Sequence, residues 1–223
     1  MTSAVRVKVC GIQTLPEALA AVQEGVDALG FVFAAGSRRR ITPEKAASIS
    51  KELPPFVARV GVFVDEAAAT VRDVAAYCGL DTLQFHGDET ETYCRLFPGC
   101  RIIKAFAAVP FLSVEKCRGY RCSAVLLDTA YKDKKGGGGR VFDWRLALPF
   151  SARNGFPLPL ILAGGLNANN VPEALQVLKP YAVDVSSGVE KNGLKDRELI
   201  RAFINQIRRW ESQNNYPALE GKK

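Results

Sequence analysis

The feature that most constrains this chain is an alternation that repeats eight times. Short apolar runs rich in β-branched residues return roughly every 25 residues, and each is followed by a stretch with helical periodicity. The runs contain few polar positions, as expected of parallel strands that are covered on both faces. The pattern predicts eight strands: Val5–Cys10, Ala28–Phe33, Arg59–Val64, Thr82–Phe85, Ile102–Phe106, Ala124–Asp128, Leu158–Ala163 and Ala182–Val185.

The segments between these runs predict eight helices. Thr42 followed by Pro43 has the form of an N-cap before a proline at the first helical position, and Gly25 and Gly79 stand where helices commonly end. The sixth segment is the weakest helix of the set because Pro149 interrupts it. The predicted helices are Leu15–Glu24, Pro43–Glu52, Ala67–Cys78, Thr90–Phe97, Pro110–Arg118, Asp143–Arg153, Val171–Leu178 and Asp196–Trp210.

Eight strand–helix units can close into a barrel or form an open, doubly wound sheet. An open dinucleotide-binding sheet usually carries a GxGxxG turn after its first strand, whereas this turn reads Cys10-Gly11-Ile12-Gln13-Thr14. The length of 223 residues also suits one barrel, which typically needs about 200–250. We therefore predict an α/β protein with a single (βα)₈ TIM barrel over residues 1–223, in which 213–223 form a flexible tail.

Charge and cysteine content limit the classes of partner. The formal net charge is +7, but the basic residues are dispersed, and the densest cluster, Arg38-Arg39-Arg40, has no interleaved aromatic residues to stack on bases. We therefore expect a small anionic ligand and no nucleic acid. No apolar run reaches the ~18 residues of a membrane span. The six cysteines are scattered, which predicts free thiols and a cytoplasmic protein. Because there is no CxxC pair and His86 is the one histidine, we predict no metal site.

Two glycine-containing segments predict a phosphate site. In barrels of this class the loops after strands seven and eight often bind phosphate through backbone N–H groups and a helix N-terminus. Here Gly164-Gly165 follows the seventh strand, and Asp184-Val185-Ser186-Ser187-Gly188 ends and follows the eighth. The alternative is that these glycines only permit tight turns. The pairing of the two segments at this place favours the phosphate site.

Polar residues at other strand ends are candidates for chemistry. Cys10 closes the first strand and could act as a base or nucleophile, although buried packing is the more common fate of a cysteine. Asp128 ends an apolar run, where partial burial would suit a general acid. His86 could equally contact substrate or be a structural histidine, and Lys104 belongs to the same set of polar strand residues. The glycine-rich segment Tyr131 to Arg140 predicts a lid.

Taken in order, these segments resemble the phosphoribosylanthranilate isomerase family of the tryptophan pathway. The resemblance runs from about Val7 to Arg208. It rests on Lys8-Val9-Cys10-Gly11-Ile12, Ala28 to Phe33, Ser37-Arg38-Arg39, Val60 to Val64, Gln84-Phe85-His86-Gly87-Asp88, Asp128-Thr129, Phe142-Asp143-Trp144, Leu162 to Leu166 and Val183 to Glu190.

The resemblance implies a cofactor-free Amadori rearrangement of N-(5-phosphoribosyl)anthranilate to 1-(2-carboxyphenylamino)-1-deoxyribulose 5-phosphate. The enzyme class would be intramolecular oxidoreductase. Asp128 would be the general acid and Cys10 the general base. Arg39 would hold the anthranilate carboxylate, whereas the remaining substrate contacts would come from His86, Gly164, Gly165, Asp184, Ser186, Ser187 and Gly188. The protein is expected to be a monomer or homodimer.

Two departures from the family pattern concern binding. Gly138 and Arg140 stand where the family lid usually has a hydroxyl residue and a lysine. Arg38 and Arg40 replace a usual proline and a common aromatic residue, so either of them could bind the substrate carboxylate in place of Arg39. The rival enzymes are the histidine-pathway sugar isomerase, whose base is an aspartate where Cys10 stands here, indole-glycerol-phosphate synthase and the tryptophan synthase α chain. A phosphate-ligand sensor or a basic RNA-binding barrel is the alternative from another class.

Overall fold

The computed structural model describes residues 4–129 and 142–214, and its eight long strands form a closed parallel barrel. Consecutive strands pair with each other, and the first pairs with the eighth, so no sheet edge is left open. The predicted (βα)₈ barrel is confirmed. The strands are β1 Arg6–Cys10, β2 Ala28–Val32, β3 Ala58–Phe63, β4 Thr82–Phe85, β5 Arg101–Ala108, β6 Ala124–Thr129, β7 Leu160–Leu162 and β8 Ala182–Val185.

Helices follow the strands on the outside of the barrel, but the sixth predicted α-helix is wrong. Trp144–Phe150 and Ala152–Asn154 are short 3₁₀ helices. Pro149 explains the difference, because it has no N–H for the α-helical ladder and its ring obstructs the preceding turn. The α-helices are α1 Leu15–Gln23, α2 Pro43–Lys51, α3 Ala68–Cys78, α4 Glu91–Cys94, α5 Val114–Gly119, α6 Val171–Leu178 and α7 Arg197–Gln213.

Most segment boundaries differ from the prediction by one or more residues, and α5 begins at Val114 after its N-cap Ser113, four residues later than the predicted Pro110. Helix α4 begins at Glu91, because Thr90, the predicted first residue, is its N-cap. It ends at Cys94, three residues before the predicted Phe97, which precedes Pro98 and is therefore disfavoured in α conformation. Helix α7 continues to Gln213, three residues beyond its predicted end at Trp210. Residues 215–223 lie outside the described residues, as does the predicted lid, Tyr131 to Arg140.

Inward-facing and outward-facing side chains form separate clusters. The outward cluster joins the strands to the helices, and α7 contributes Ile200, Phe203, Ile204, Ile207 and Trp210 to it. The lumen holds a smaller cluster made by Val60, Ile103, Ala105, Ala124, Leu126, Ile161, Ala163 and Ala182. Because side chains alternate along a strand, the next inward positions toward the carboxyl ends lie in one layer above this cluster. That layer is polar.

After Ser187–Val189, a 3₁₀ turn, two short antiparallel strands, β9 Glu190–Lys191 and β10 Leu194–Lys195, form a small hairpin beside the barrel mouth. Among the helices of the described ranges, none is both long and apolar enough to cross a lipid bilayer.

Candidate active site

Cys10 lies at the C-terminal end of β1, with its side chain partly exposed at the barrel mouth. Its neighbour across the sheet is Gly30 of β2. A Cβ atom at Gly30 would stand 2.8 Å from the Cys10 Sγ and 3.0 Å from the Lys8 Nζ, so a side chain there would displace both groups. Gly30 therefore provides the space in which the thiol sits.

A buried ion pair lies directly beneath Cys10. The Lys8 Nζ donates to both carboxylate oxygens of Asp184, at 3.0 and 2.9 Å, and the two side chains are 4% and 7% exposed. Burial favours the neutral amine, but the charges of Asp184 and Cys10 outweigh it and raise the pKa of Lys8. Asp184, which was predicted to contact the substrate, is thus hydrogen-bonded to Lys8, its register partner on β1.

The environment of Cys10 acts on its acidity in both directions. Burial raises the pKa of the Cys10 thiol and the charge of Asp184 adds to this rise, whereas the ammonium groups of Lys8 and Lys195 offset it only in part, so the pKa lies above that of a free cysteine. The Cys10 main chain is fixed separately, since the Ser186 hydroxyl donates to its carbonyl at 2.9 Å. The hydroxyl predicted for the phosphate site therefore also ties the end of β8 to the end of β1.

Asp128 lies near the end of β6, at the mouth, and is 8% exposed. Its Oδ1 accepts the Thr129 N–H at 2.6 Å, and its Oδ2 lies 3.4 Å from the Nε2 of His86. The Gln84 amide donates to the Nδ1 of His86 at 3.1 Å, so the neutral imidazole carries its proton on Nε2, toward Asp128. His86 thus contacts the candidate acid.

Gly164 makes room for the candidate acid as well. Its φ is +86°, and a Cβ there would stand 2.4 Å from the Thr129 Oγ1 and 3.1 Å from the Asp128 Oδ1. Gly165 also has a positive φ, +65°. Within the described residues the N–H of Gly165 has no hydrogen-bond acceptor. Such an N–H can donate to an anion.

The loops after β7 and β8 are in contact with each other. A Cβ at Gly188 would stand only 1.9 Å from the carbonyl oxygen of Leu166, so glycine is required where the two loops meet. Asn170 closes the first loop, because its side chain donates to the Gly165 carbonyl at 2.9 Å and accepts the Asn167 N–H at 2.8 Å. The two predicted phosphate segments therefore form one continuous surface in front of α6.

Arg39 reaches the mouth over Gly11, whose φ is +86° and where a Cβ would stand 2.5 Å from the Arg39 Cδ. Glu190 binds this guanidinium at two points, 2.5 Å at Nε and 3.0 Å at Nη2. Lys195 donates to the same carboxylate at 2.6 Å. Burial by itself would raise the pKa of Glu190, but these hydrogen bonds and charges lower it to about 2.

The other two arginines of the cluster are placed differently. The Arg38 side chain is 58% exposed and contacts Glu190 from outside at 3.1 Å, whereas that of Arg39 is 12% exposed. Arg40 is exposed. Of the three, Arg39 is the one held inside the rim.

Lys104 was expected at the mouth, but its side chain points outward from β5. It is 2% exposed and its Nζ binds Glu89 at 3.0 Å and the Gly87 carbonyl at 2.7 Å. Glu89 in turn accepts the N–H groups of Asp65 and Gly87, both at 2.9 Å. This second buried ion pair therefore fixes the loops after β3 and β4, including the peptide that follows His86. In the described ranges, no group of three or more His, Cys, Asp or Glu side chains is arranged to hold a metal ion.

A family model described as N-(5'phosphoribosyl)anthranilate (PRA) isomerase matches residues 7–206. The chain belongs to the phosphoribosylanthranilate isomerase family. This match confirms the resemblance inferred from the motifs, and it favours that family over the rival pathway enzymes. Isomerase is accordingly the enzyme class.

Relatives of this family resemble the chain over nearly its whole length. The N-(5'-phosphoribosyl)anthranilate isomerase of Desulforudis audaxviator is 52% identical over 206 residues, 91% of this chain and 97% of that protein. The crystal structure of phosphoribosyl anthranilate isomerase from Thermus thermophilus superimposes with a TM-score of 0.82 at 38% identity and covers 91% of this chain and 98% of that chain.

A further solved phosphoribosyl anthranilate isomerase is in complex with reduced 1-(o-carboxyphenylamino)-1-deoxyribulose 5-phosphate. It has a TM-score of 0.78 at 45% identity and covers 91% of this chain and 98% of that chain. The ligand in its title is a phosphorylated anthranilate–sugar adduct.

Sequence reasoning assigned no role to four residues of this family member's site. Lys8 and Gly30 stand inside predicted strands, and Glu190 and Lys195 follow the last one. The sequence did carry a signal for Lys8 and Gly30. Lys8 shares the inward face of β1 with Cys10, and a lone glycine in a buried strand indicates that another group approaches the backbone closely there. Glu190 and Lys195 pair with each other on the β9–β10 hairpin, but the contact of Glu190 with Arg39 gave no such signal, because the two residues are 151 positions apart.

Proposed function

We propose that this chain isomerises N-(5-phosphoribosyl)anthranilate to 1-(2-carboxyphenylamino)-1-deoxyribulose 5-phosphate in tryptophan biosynthesis, with Asp128 as general acid and Cys10 as general base. The observation that carries the proposal is the common polar layer at the mouth. Asp184 hydrogen-bonds to Lys8 beneath Cys10, and burial together with the charge of Asp128 raises the pKa of Asp184. An acid and a base on separate strands can thereby address two positions of one bound ribose.

The reaction needs proton transfers only. Asp128 donates a proton to the ring oxygen, the C1′–O bond breaks, and the nitrogen lone pair forms a C1′=N iminium. The Cys10 thiolate removes the C2′ proton, and the electrons of that bond form C1′=C2′ and return the lone pair to nitrogen. The resulting enol gives up its hydroxyl proton and gains one at C1′, which leaves a ketone at C2′. Since C2′ is oxidised and C1′ is reduced, the finer class is intramolecular oxidoreductase.

His86 and Asp184 have a different place in this proposal from the substrate contacts predicted for them. His86 orients the Asp128 carboxyl through its Nε2–H, and Gln84 fixes the His86 ring from the other side. Asp184 holds Lys8. Both residues support catalytic groups, and the substrate contacts predicted for them stay predictions.

The substrate is held at its two ends. The loops that carry Gly164, Gly165, Ser186, Ser187 and Gly188 bind the phosphate, supported by the Gly165 N–H, which has no acceptor among residues 4–129 and 142–214. At the other end Arg39, oriented by Glu190, pairs with the anthranilate carboxylate. Binding energy from both ends aligns the ribose with acid and base.

The same proposal names a phosphorylated small molecule as the binding partner, no nucleic acid, a cytoplasmic location and a monomer or homodimer. Light scattering after gel filtration distinguishes the two assembly states. A gel-shift titration with duplex and single-stranded oligonucleotides at physiological salt tests the nucleic-acid part, and the proposal expects no retarded band.

The activity is tested by a coupled assay on freshly made phosphoribosylanthranilate, run beside the histidine-pathway substrate. We expect turnover of the first only, and a fall of about 10²–10⁴-fold in kcat for Cys10→Ala and for Asp128→Asn, the usual contribution of a general acid or base. Cys100→Ala and Asp143→Asn, which change exposed residues, are the matched controls. Binding without turnover of either substrate would indicate a sensor and refute the proposal.

A further inference from the structure

Lys8 and Cys10 form one unit on the inward face of β1. They stand two residues apart, so both side chains point into the lumen, with Lys8 one layer below. The Lys8 ammonium donates to both carboxylate oxygens of Asp184, and the charge of Cys10 also acts on it. A single point above Gly30, its ideal Cβ position, lies 2.8 Å from the sulfur and 3.0 Å from the nitrogen. The two groups therefore share one glycine-sized space.

Asp184 fixes the position of that ammonium. It is the register partner of Lys8 on β8, and its carboxylate contacts the ammonium with both oxygens. Breaking a buried ion pair costs much, but a buried pair is often no more stabilising than apolar residues of the same volume. The layer below is filled by aliphatic side chains such as Val60 and Leu126. Stability alone therefore does not explain a lysine and an aspartate at this level of the lumen.

We propose that Lys8 is a positioning residue for the base: its ammonium stabilises the Cys10 thiolate, and Asp184 holds that ammonium beside the sulfur. The inference deepens the function proposed above and rests on Cys10 as the general base. In this proposal Lys8 acts through Cys10 and not through a direct contact with the substrate.

Three charged groups act on the thiol. Lys8 lies on its own strand, Asp184 comes from β8, and Lys195 from β10. The Lys195 ammonium is engaged by Glu190 at 2.6 Å and by the Ser186 carbonyl and hydroxyl, both at 3.2 Å. Lys8 is thus the cation that shares the space above Gly30 with the sulfur, and Asp184 is the anion that limits its effect. The two members of the pair should therefore act on Cys10 in opposite directions.

The test measures the Cys10 thiol directly by its rate of alkylation with iodoacetamide against pH, read at the Cys10 peptide by mass spectrometry. A neighbouring opposite charge typically moves a pKa by about 1–3. Lys8→Met should therefore raise the pKa of Cys10 and slow alkylation at pH 7.5 by about 10-fold or more. Asp184→Asn should lower the pKa and accelerate alkylation several-fold. The acidic limb of kcat/KM should move with the thiol in each variant.

Lys104→Met is the matched control, because it removes an ammonium of equal burial whose partner is Glu89 and which does not act on Cys10. We expect its Cys10 alkylation profile to be that of the parent. If Lys8→Met does not fold, the double variant Lys8→Met/Asp184→Asn leaves no unpaired buried charge and should still alkylate more slowly than the parent.

Shifts of the same sign in the two single variants, or an unchanged profile in the double variant, would overturn the role of Lys8. Absence of turnover in the parent protein, with the opposite shifts present, would instead refute the proposed function while leaving the Lys8–Cys10 coupling intact.

Discussion

Glu190→Gln is the substitution for which the structure yields a magnitude and a pH dependence together. The Glu190 side chain is 7% exposed and accepts hydrogen bonds from Arg39 and Lys195. These partners lower its pKa from 4.5 to about 2, against the effect of burial. The pKa of Glu190 is lower in the folded than in the unfolded protein, so ionisation of Glu190 stabilises the fold. This stabilisation is fully present above about pH 4.5 and is lost as the pH falls toward 2. Its size is about 3 kcal/mol.

At pH 7 we expect Glu190→Gln to lower the free energy of unfolding by about 3–5 kcal/mol, because Arg39 and Lys195 then lack their buried counter-charge. At pH 3 the parent has itself lost about 2 kcal/mol of the stability that Glu190 ionisation provides. The difference in free energy of unfolding between parent and variant should therefore shrink by that amount. Urea titrations followed by the fluorescence of Trp144 and Trp210 at pH 7, 5, 4 and 3 measure it.

The control is Glu52→Gln, which changes an exposed carboxylate at the end of α2 and should give no difference at any pH. The variant should also raise KM more than it lowers kcat, since Arg39, which we propose binds the substrate carboxylate, loses its two-point contact with the Glu190 carboxylate. A parent–variant difference that stays constant from pH 7 to pH 3 would refute the assignment of Glu190 as the ionised centre of this network.

Two glycines supply the remaining predictions. Gly30→Ala places a Cβ 2.8 Å from the Cys10 Sγ, so we expect loss of about 1–3 kcal/mol of stability and a fall in kcat, measured by urea titration and steady-state assay. Gly188→Ala places a Cβ 1.9 Å from the Leu166 carbonyl oxygen, which forces the two loops apart; KM should rise, and inhibition by inorganic phosphate should weaken. Gly119→Ala, where the nearest atom is 3.9 Å away, is the control for both and should behave as the parent. Parent-like kinetics in Gly30→Ala or Gly188→Ala would contradict the corresponding steric argument.

Much of the fold follows from local patterns. Each predicted strand overlaps an observed one, and Thr42, Thr90 and Asp196 precede helices as N-caps. The error at Asp143–Arg153 came from weighing helical periodicity above Pro149, which removes a ladder hydrogen bond and leaves a 3₁₀ helix. Periodicity indicates which face of a segment is apolar. It does not indicate whether the backbone can form every hydrogen bond of an α-helix.

The placement of Cys10 and Asp128 at one mouth also followed from sequence, because parallel strands of a barrel end on the same side and both residues close a strand. Their naming as base and acid came from the family resemblance. The sequence likewise paired the loops at Gly164 and Gly188, since adjacent strands must bring them together.

What the tertiary structure decided is which polar groups are joined. Lys8 and Asp184 are 176 residues apart, and Arg39 and Glu190 are 151 apart, so no local spacing links them. Their contacts arise only when the barrel closes and brings β8 against β1. Closure also decides that Lys104 faces outward while Cys10 faces inward, because the side of a strand is set by its register in the whole sheet. The sequence by itself determined the barrel and the placement of Cys10 and Asp128 at its mouth, and closure determined the charges that surround them.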